Sequence, residues 1–137
     1  MKKIIIASFL TAAIYFAGCK EDAFTNSDST NVPVVANSTN AFAFVLAANS
    51  YSSSAEYNLS FSTDSLSCSI IVSKQTSGTA SLIISDSSNS IVYSDSLLSN
   101  KVVAFTQANK GIPKIIRMTF KSYTGTLNFA LSRNYSK

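Results

Sequence analysis

From Ala41 onwards apolar and polar residues take turns, and this period of two constrains the fold more than any other feature of the chain. Tyr57, Leu59, Phe61 and Thr63 alternate with Asn58, Ser60 and Ser62. Leu66, Cys68, Ile70 and Val72 form a second such set, and Ala80, Leu82 and Ile84 a third. Ile91-Val92-Tyr93 follows the turn formers Asp86-Ser87-Ser88-Asn89, and Lys101 to Thr106 is β-branched and aromatic. Ile116, Met118 and Phe120 share one face of their segment, as do Leu127, Phe129 and Leu131 of theirs. Strand side chains point alternately to opposite faces, so each run makes a strand with one dry face and one wet face. With the apolar run Ala41–Asn49, the pattern predicts about eight short antiparallel strands, and their regular spacing by turn signals suggests an all-β sandwich or barrel. Tyr123-Thr124-Gly125-Thr126 reads as the turn of a hairpin joining the last two strands, with Gly125 free to take positive φ.

Composition agrees. Charged residues are only 13% of the chain, and Ser and Thr, which are poor helix formers, fill the gap beside many Ile, Val, Phe and Tyr. The segment from Ala23 to about Asn40 is mostly small and polar and is expected to be a flexible linker. Within it, Val32-Pro33-Val34-Val35 has the make-up of a short edge strand.

The first residues carry a different message. Met1-Lys2-Lys3 is a short positive start, Ile4 to Phe16 is mostly apolar and uncharged, and Ala17-Gly18 is small. That succession makes a secretory signal peptide, too short to cross a bilayer core that takes about 20 residues. Phe16-Ala17-Gly18-Cys19 resembles the lipobox of bacterial lipoproteins, with Phe16 where Leu is commonest. The resemblance implies cleavage between Gly18 and Cys19, a diacylglyceryl thioether on the Cys19 sulfur and often acylation of the new amino terminus. Two or more fatty chains hold a protein stably to a membrane, where one holds only marginally. Lys20-Glu21-Asp22 resembles the export signals that follow the cysteine in surface lipoproteins of the Bacteroidota, which implies the outer membrane and its outward face. The expected organisation is a signal peptide over 1–18, the lipidated cysteine and linker over 19–40, and a β-sandwich domain over 41–137.

The segment Gly78 to Leu131 is also similar to small bacterial β-sandwich lipoproteins and appended jelly-roll domains. The matching pieces are Ser81-Leu82-Ile83-Ile84-Ser85-Asp86, Ile91-Val92-Tyr93-Ser94, Gly111-Ile112-Pro113 and Tyr123 to Phe129. Lys114 and Ile116 stand near positions where such domains often have Gly and Trp. The likeness implies a jelly-roll-like fold and carries no catalytic residue across.

Several chemistries lack their residues. The chain has no His, which removes Ser-His-Asp and Cys-His arrangements and the usual zinc sites. Its four glycines make no phosphate-cradling loop, and no Ser stands three residues before a Lys. With Lys2 and Lys3 removed in the signal segment, 9 basic and 7 acidic side chains remain, too even a balance for a nucleic-acid partner. Glu56 and Asp64, and Asp86 and Asp95, each bracket a predicted strand and read as turn residues rather than as an acid–base pair. Cys68 reads as a small buried hydrophobe. The expectation is a non-catalytic, lipid-anchored envelope protein without cofactor or metal. Its partners would be membrane lipid through acylated Cys19 and an envelope protein. The alternative is a glycan or small-ligand module using Tyr51 and Tyr123, which fall in predicted loops, as stacking platforms.

Overall fold

A computed structural model describes residues 30–134. The described residues form β1 (Val34–Ser38), β2 (Ala41–Asn58), β3 (Leu66–Ser85), β4 (Ile91–Ser96), β5 (Lys101–Gln107) and β6 (Ile115–Arg133). All pairs are antiparallel and all strands belong to one sheet, in the order β1-β2-β6-β3-β4, with β5 also on β3. β3 is flanked on one side by β6 along nearly its whole length. On the other side its first half carries β5 and its second half carries β4. β1 falls within the stretch expected to be linker, on the edge where Val32–Val35 suggested a strand.

Six strands replace the expected eight because three long, bent strands each absorb two of those expected, leaving five, and β1 adds a sixth. β2, β3 and β6 each run through a point where the sequence reads as a break between two strands. Register shifts interrupt β2 at Ala48–Ser53 and β3 at Ser73–Thr79, all against the same part of β6. Left-handed residues mark the crease: Ser50 (φ 53°) in β2, Lys74 (54°) and Gly78 (75°) in β3, Ser122 (45°) in β6. In β2 and β6 the crease also exchanges the core-facing parity. Phe42, Phe44, Leu46 and Ala48 are buried before it and Tyr51 and Tyr57 pack inward after it. Likewise Ile116, Met118 and Phe120 give way to Tyr123, Leu127, Phe129 and Leu131. An extra residue in one strand has this effect because the side-chain period is two. The expected Tyr123–Thr126 hairpin is therefore a bend within β6, and Gly125 pairs with Ala48 in mid-sheet. A Cβ on Gly125 would stand 2.9 Å from Gln75 Cα, so two backbones approach closely there.

Bent along the crease, the sheet lays its two halves face to face around one core. Phe44 of the first half stacks on Phe120 of the second at 6.0 Å, and Phe42 meets Tyr57 at 5.2 Å. Phe61, Leu97 and Leu59 enter the same core from outside the strands. The strand expected over Tyr57–Thr63 ends at Asn58. Beyond it Leu59 donates its backbone N–H to the Lys114 carbonyl at 2.7 Å, and the segment turns inward. Full burial of each large apolar side chain contributes about 1.5–3 kcal/mol, so this aromatic interior is the main stabilising feature.

Candidate functional site

Register turns the two outer faces of the bent sheet into two different surfaces. On the second half, outward residues align as Glu56–Arg117–Ile83–Ser94 and Ser54–Thr119–Ser81–Ser96. This face is wet. Arg117 Nε donates to Glu56 Oε2 at 2.6 Å, its other nitrogen reaches Asn89 at 3.2 Å, and the Ser54 and Thr119 hydroxyls lie 3.4 Å apart. The ion pair is exposed and worth at most about 1 kcal/mol.

Among the described residues, the aligned outward positions of the first half carry no charge. Its outward residues align in rows across five strands, β1-β2-β6-β3-β5: Val34–Val45–Asn128–Ile71–Val102, then Ala36–Ala43–Ala130–Ser69–Ala104, then Ser38–Ala41–Ser132–Ser67–Thr106. The first row is a ridge. Val34 is 65% exposed, Val102 74%, and Val45 and Ile71 about 40% each (42% and 39%). The other two rows are short side chains, and they leave shallow grooves. One, of about 450 Å³, runs along Ala36, Ala41, Ala43 and Ala130; another, of about 230 Å³, lies between Ala43, Ile71 and Ala130. Of these fifteen positions nine are Val, Ile or Ala and six are Asn, Ser or Thr, so the apolar part is the Val34–Val102 ridge with the alanines beside it, an exposed patch of the kind that makes a candidate contact surface. Sequence reasoning missed it because each strand contributes only two or three unremarkable small residues. Only the strand order brings them together.

The residues singled out earlier lie elsewhere. Tyr123 is fully buried, edge-on to Phe120 at 5.6 Å, and its ring has no face to offer a sugar. Its hydroxyl is one of three buried side-chain oxygens without a hydrogen-bond partner among the described residues. Burial raises its pKa. Tyr51 is half-buried on the same Phe120 ring, at 5.4 Å. The two tyrosines are cross-strand partners in the crease rather than loop platforms. Gly18, Cys19, the Lys20-Glu21-Asp22 segment and the whole signal segment lie outside the described residues, as does Tyr135.

The four described carboxylates are each engaged locally. Asp86 Oδ1 accepts from the Ser88 hydroxyl (2.7 Å) and from the Ser88 and Ser90 amides, closing the turn before β4. The Ser88 hydroxyl and these amides hold its carboxyl below the usual aspartate range. Asp95 takes Lys101 Nζ at 2.6 Å and the Tyr93 hydroxyl at 3.2 Å, bridging the ends of β4 and β5. Glu56 holds Arg117, and Asp64 accepts the Asn109 amide at 3.1 Å. Cys68 is a free, buried thiol whose pKa burial pushes up to about 12, with Asp95 adding to the rise. Among the described residues no cluster of acidic and Cys side chains is arranged to hold a metal ion, and no helix is long and apolar enough to cross a membrane. Compared with known proteins, the chain matches no protein-family model and no curated protein.

Proposed function

We propose that this chain is a lipoprotein of the bacterial outer membrane, held by acyl groups on Cys19, whose β-sandwich binds another protein and carries out no catalysis. In this reading the facing halves of the bent sheet are the two layers of the sandwich. The observation that carries the binding function is the contrast between the two outer faces. Both carry hydroxyls, but one also bears the Glu56–Arg117 ion pair and the other is uncharged across five strands, with an exposed ridge of valine and isoleucine. An anchored domain gains nothing for membrane attachment from such a face, because the acyl chains already supply it. The lipobox-like Phe16-Ala17-Gly18-Cys19 supports the anchor, and Lys20-Glu21-Asp22 supports an outward-facing address.

Two measurements test this function. Intact mass spectrometry of the product from native membranes should give a chain beginning at Cys19 with a diacylglyceryl adduct. A chain beginning elsewhere, or a bare thiol at its first residue, overturns the anchor. Protein crosslinking in whole cells from a photoreactive residue at Ala130 should give adducts that the same residue at Ser54 does not. Equal recovery of monomer from both positions overturns the binding face.

A further inference from the structure

We infer that the free edge of β2 beyond the crease, Ser54–Asn58, is a docking site for one extended segment of another protein, which joins the sheet through its backbone. The site is separate from the uncharged face and does not depend on it.

Strand count is the first argument. The first half runs β1-β2-β6-β3-β5 and the second β2-β6-β3-β4, so five strands face four. At one end β4 covers β5. Tyr93 meets Phe105 at 4.7 Å, Gln107 Nε2 donates to the Val92 carbonyl at 3.2 Å, and Lys101 pairs with Asp95. At the other end β1 has no strand opposite it among the described residues. Val35 pairs with Phe44 and Asn37 with Phe42, so both point to the core side of the sheet, yet both stay exposed, Val35 by 38%. A fifth strand of the second half, beside Ser54–Asn58, would cover them.

The backbone is the second argument. Leu59 donates its N–H to Lys114, the residue before β6, while the Asn58 carbonyl turns the other way and accepts from Asn37 Nδ2 at 2.8 Å. Alternate residues of a strand aim their backbone groups at the same edge. Register runs without a slip from Ser53 to Asn58, so Ser54 and Glu56 also aim away from β6, where no described strand pairs with them. Other edges of the sheet are blunted in the usual ways. Pro33 precedes the five residues of β1, β5 starts at Lys101, and β4 is six residues long with a register shift. Ser54–Asn58 carries no proline, lysine or slip, and its one charge, Glu56, is held by Arg117 on the outer face.

These features select the occupant. A row of free N–H and C=O groups takes another backbone, as in strand addition. The edge is about 17 Å long, enough for a peptide segment and far too little for a dimer of globular copies. A second copy also cannot pair by the same edge. With two β2 edges side by side, the first arm of β2 in each copy would need the place that β1 of the other holds. A lone strand lies about 4.8 Å from β2 and about 10 Å from β1. Its alternate residues face Val35, which suits valine-sized side chains, and the others lie beside Ser54 and Glu56, which suits polar ones.

The test uses the full chain purified in detergent and an acetylated, amidated heptapeptide of alternating threonine and valine. At millimolar peptide, hydrogen exchange of the Ser54 and Glu56 amides should slow at least tenfold, with no change at Ala130. Of two versions N-methylated at the threonines or at the valines, one should lose the effect and the other keep it, because only one set of amides faces β2. Glu56→Pro removes an edge-facing N–H and should abolish the effect while the Met118 amide stays protected; Ser54→Pro repeats the measurement should Glu56→Pro fail to fold. In whole cells such a strand gives a photoreactive residue at Ser54 an adduct of its own, distinct in mass from any at Ala130, so the two surfaces are read apart. No slowing at either amide overturns the docking site, as does equal slowing by both methylated peptides. Slow exchange at both amides before any peptide is added gives the edge to the chain itself or to a second copy, and overturns it too.

Discussion

Phe42 and Tyr57 stand near opposite ends of the same strand, yet their rings meet at 5.2 Å. Fifteen residues of straight strand would separate them by about 50 Å. The contact exists because β2 bends back at Ser50, and β3 and β6 bend beside it. The crease is therefore as much a part of the core as the rings themselves, and the stability of the domain depends on it.

Gly78 is the residue at which the crease is least forgiving. Its φ is 75°, and an added Cβ would overlap the backbone carbonyl of Ser122. Gly78→Ala should cost about 2 kcal/mol or more, beyond the roughly 1 kcal/mol of a left-handed alanine in open space. Gly111→Ala is the comparison. Its φ is also positive, but the nearest atom to a new Cβ is Asp86 Oδ2 at 3.4 Å. Urea unfolding midpoints should place Gly78→Ala well below Gly111→Ala, and equal midpoints would show that the close approach to Ser122 costs nothing.

Tyr123→Phe should leave the domain as stable or raise its stability by about 1 kcal/mol, because a buried hydroxyl without a partner costs about that much. Thermal unfolding checks the sign. A loss above 1 kcal/mol would mean that the hydroxyl is satisfied in solution.

The Cys68 thiol should resist alkylation in the folded protein at pH 8 and react fully in guanidinium, since the thiolate is the reactive form. Its pKa rises from 9.0 to about 12 on folding. A raised folded pKa contributes stability that is complete below pH 9 and lost as pH climbs towards 12, because the unfolded thiol ionises first. Cys68→Ala should flatten that part of the stability curve. Labelling in the folded state at the rate of a free thiol would contradict the burial.

Asp86 works in the other direction. Its folded pKa lies below its ordinary value, so the ionised carboxylate stabilises the turn above that value and loses the effect as pH falls through the folded pKa. Asp86→Ala should destabilise at neutral pH, and the difference from wild type should vanish in acid. A difference that persists undiminished at pH 2 would assign the effect to packing.

The alternation was legible in sequence, and with it the core: Leu66, Cys68, Ile70, Val72, Leu82, Ile84, Met118, Phe129 and their neighbours are buried as their spacing requires. What could not be read was continuity. Phe120 and Tyr123 are both buried, an odd spacing that suggests a turn, and only the register with β2 shows one strand passing through a bulge. Ser50, Lys74 and Ser122 adopt left-handed φ without being glycine, so nothing in their identity marks the crease. The uncharged face was hidden for a different reason. Ala43, Ala130, Ser69 and Ala104 are scattered along the chain, and their shared row is a property of strand order alone.

The crease also bears on how this sequence can drift. A one-residue insertion or deletion inside either arm of β2 or β6 would turn the rest of that arm inside out and drown its phenylalanines in solvent. Near Ser50 or Ser122, where the ladder already slips, the same event needs only a slightly different slip. Length variants of this domain that still fold are thus expected to cluster along that line.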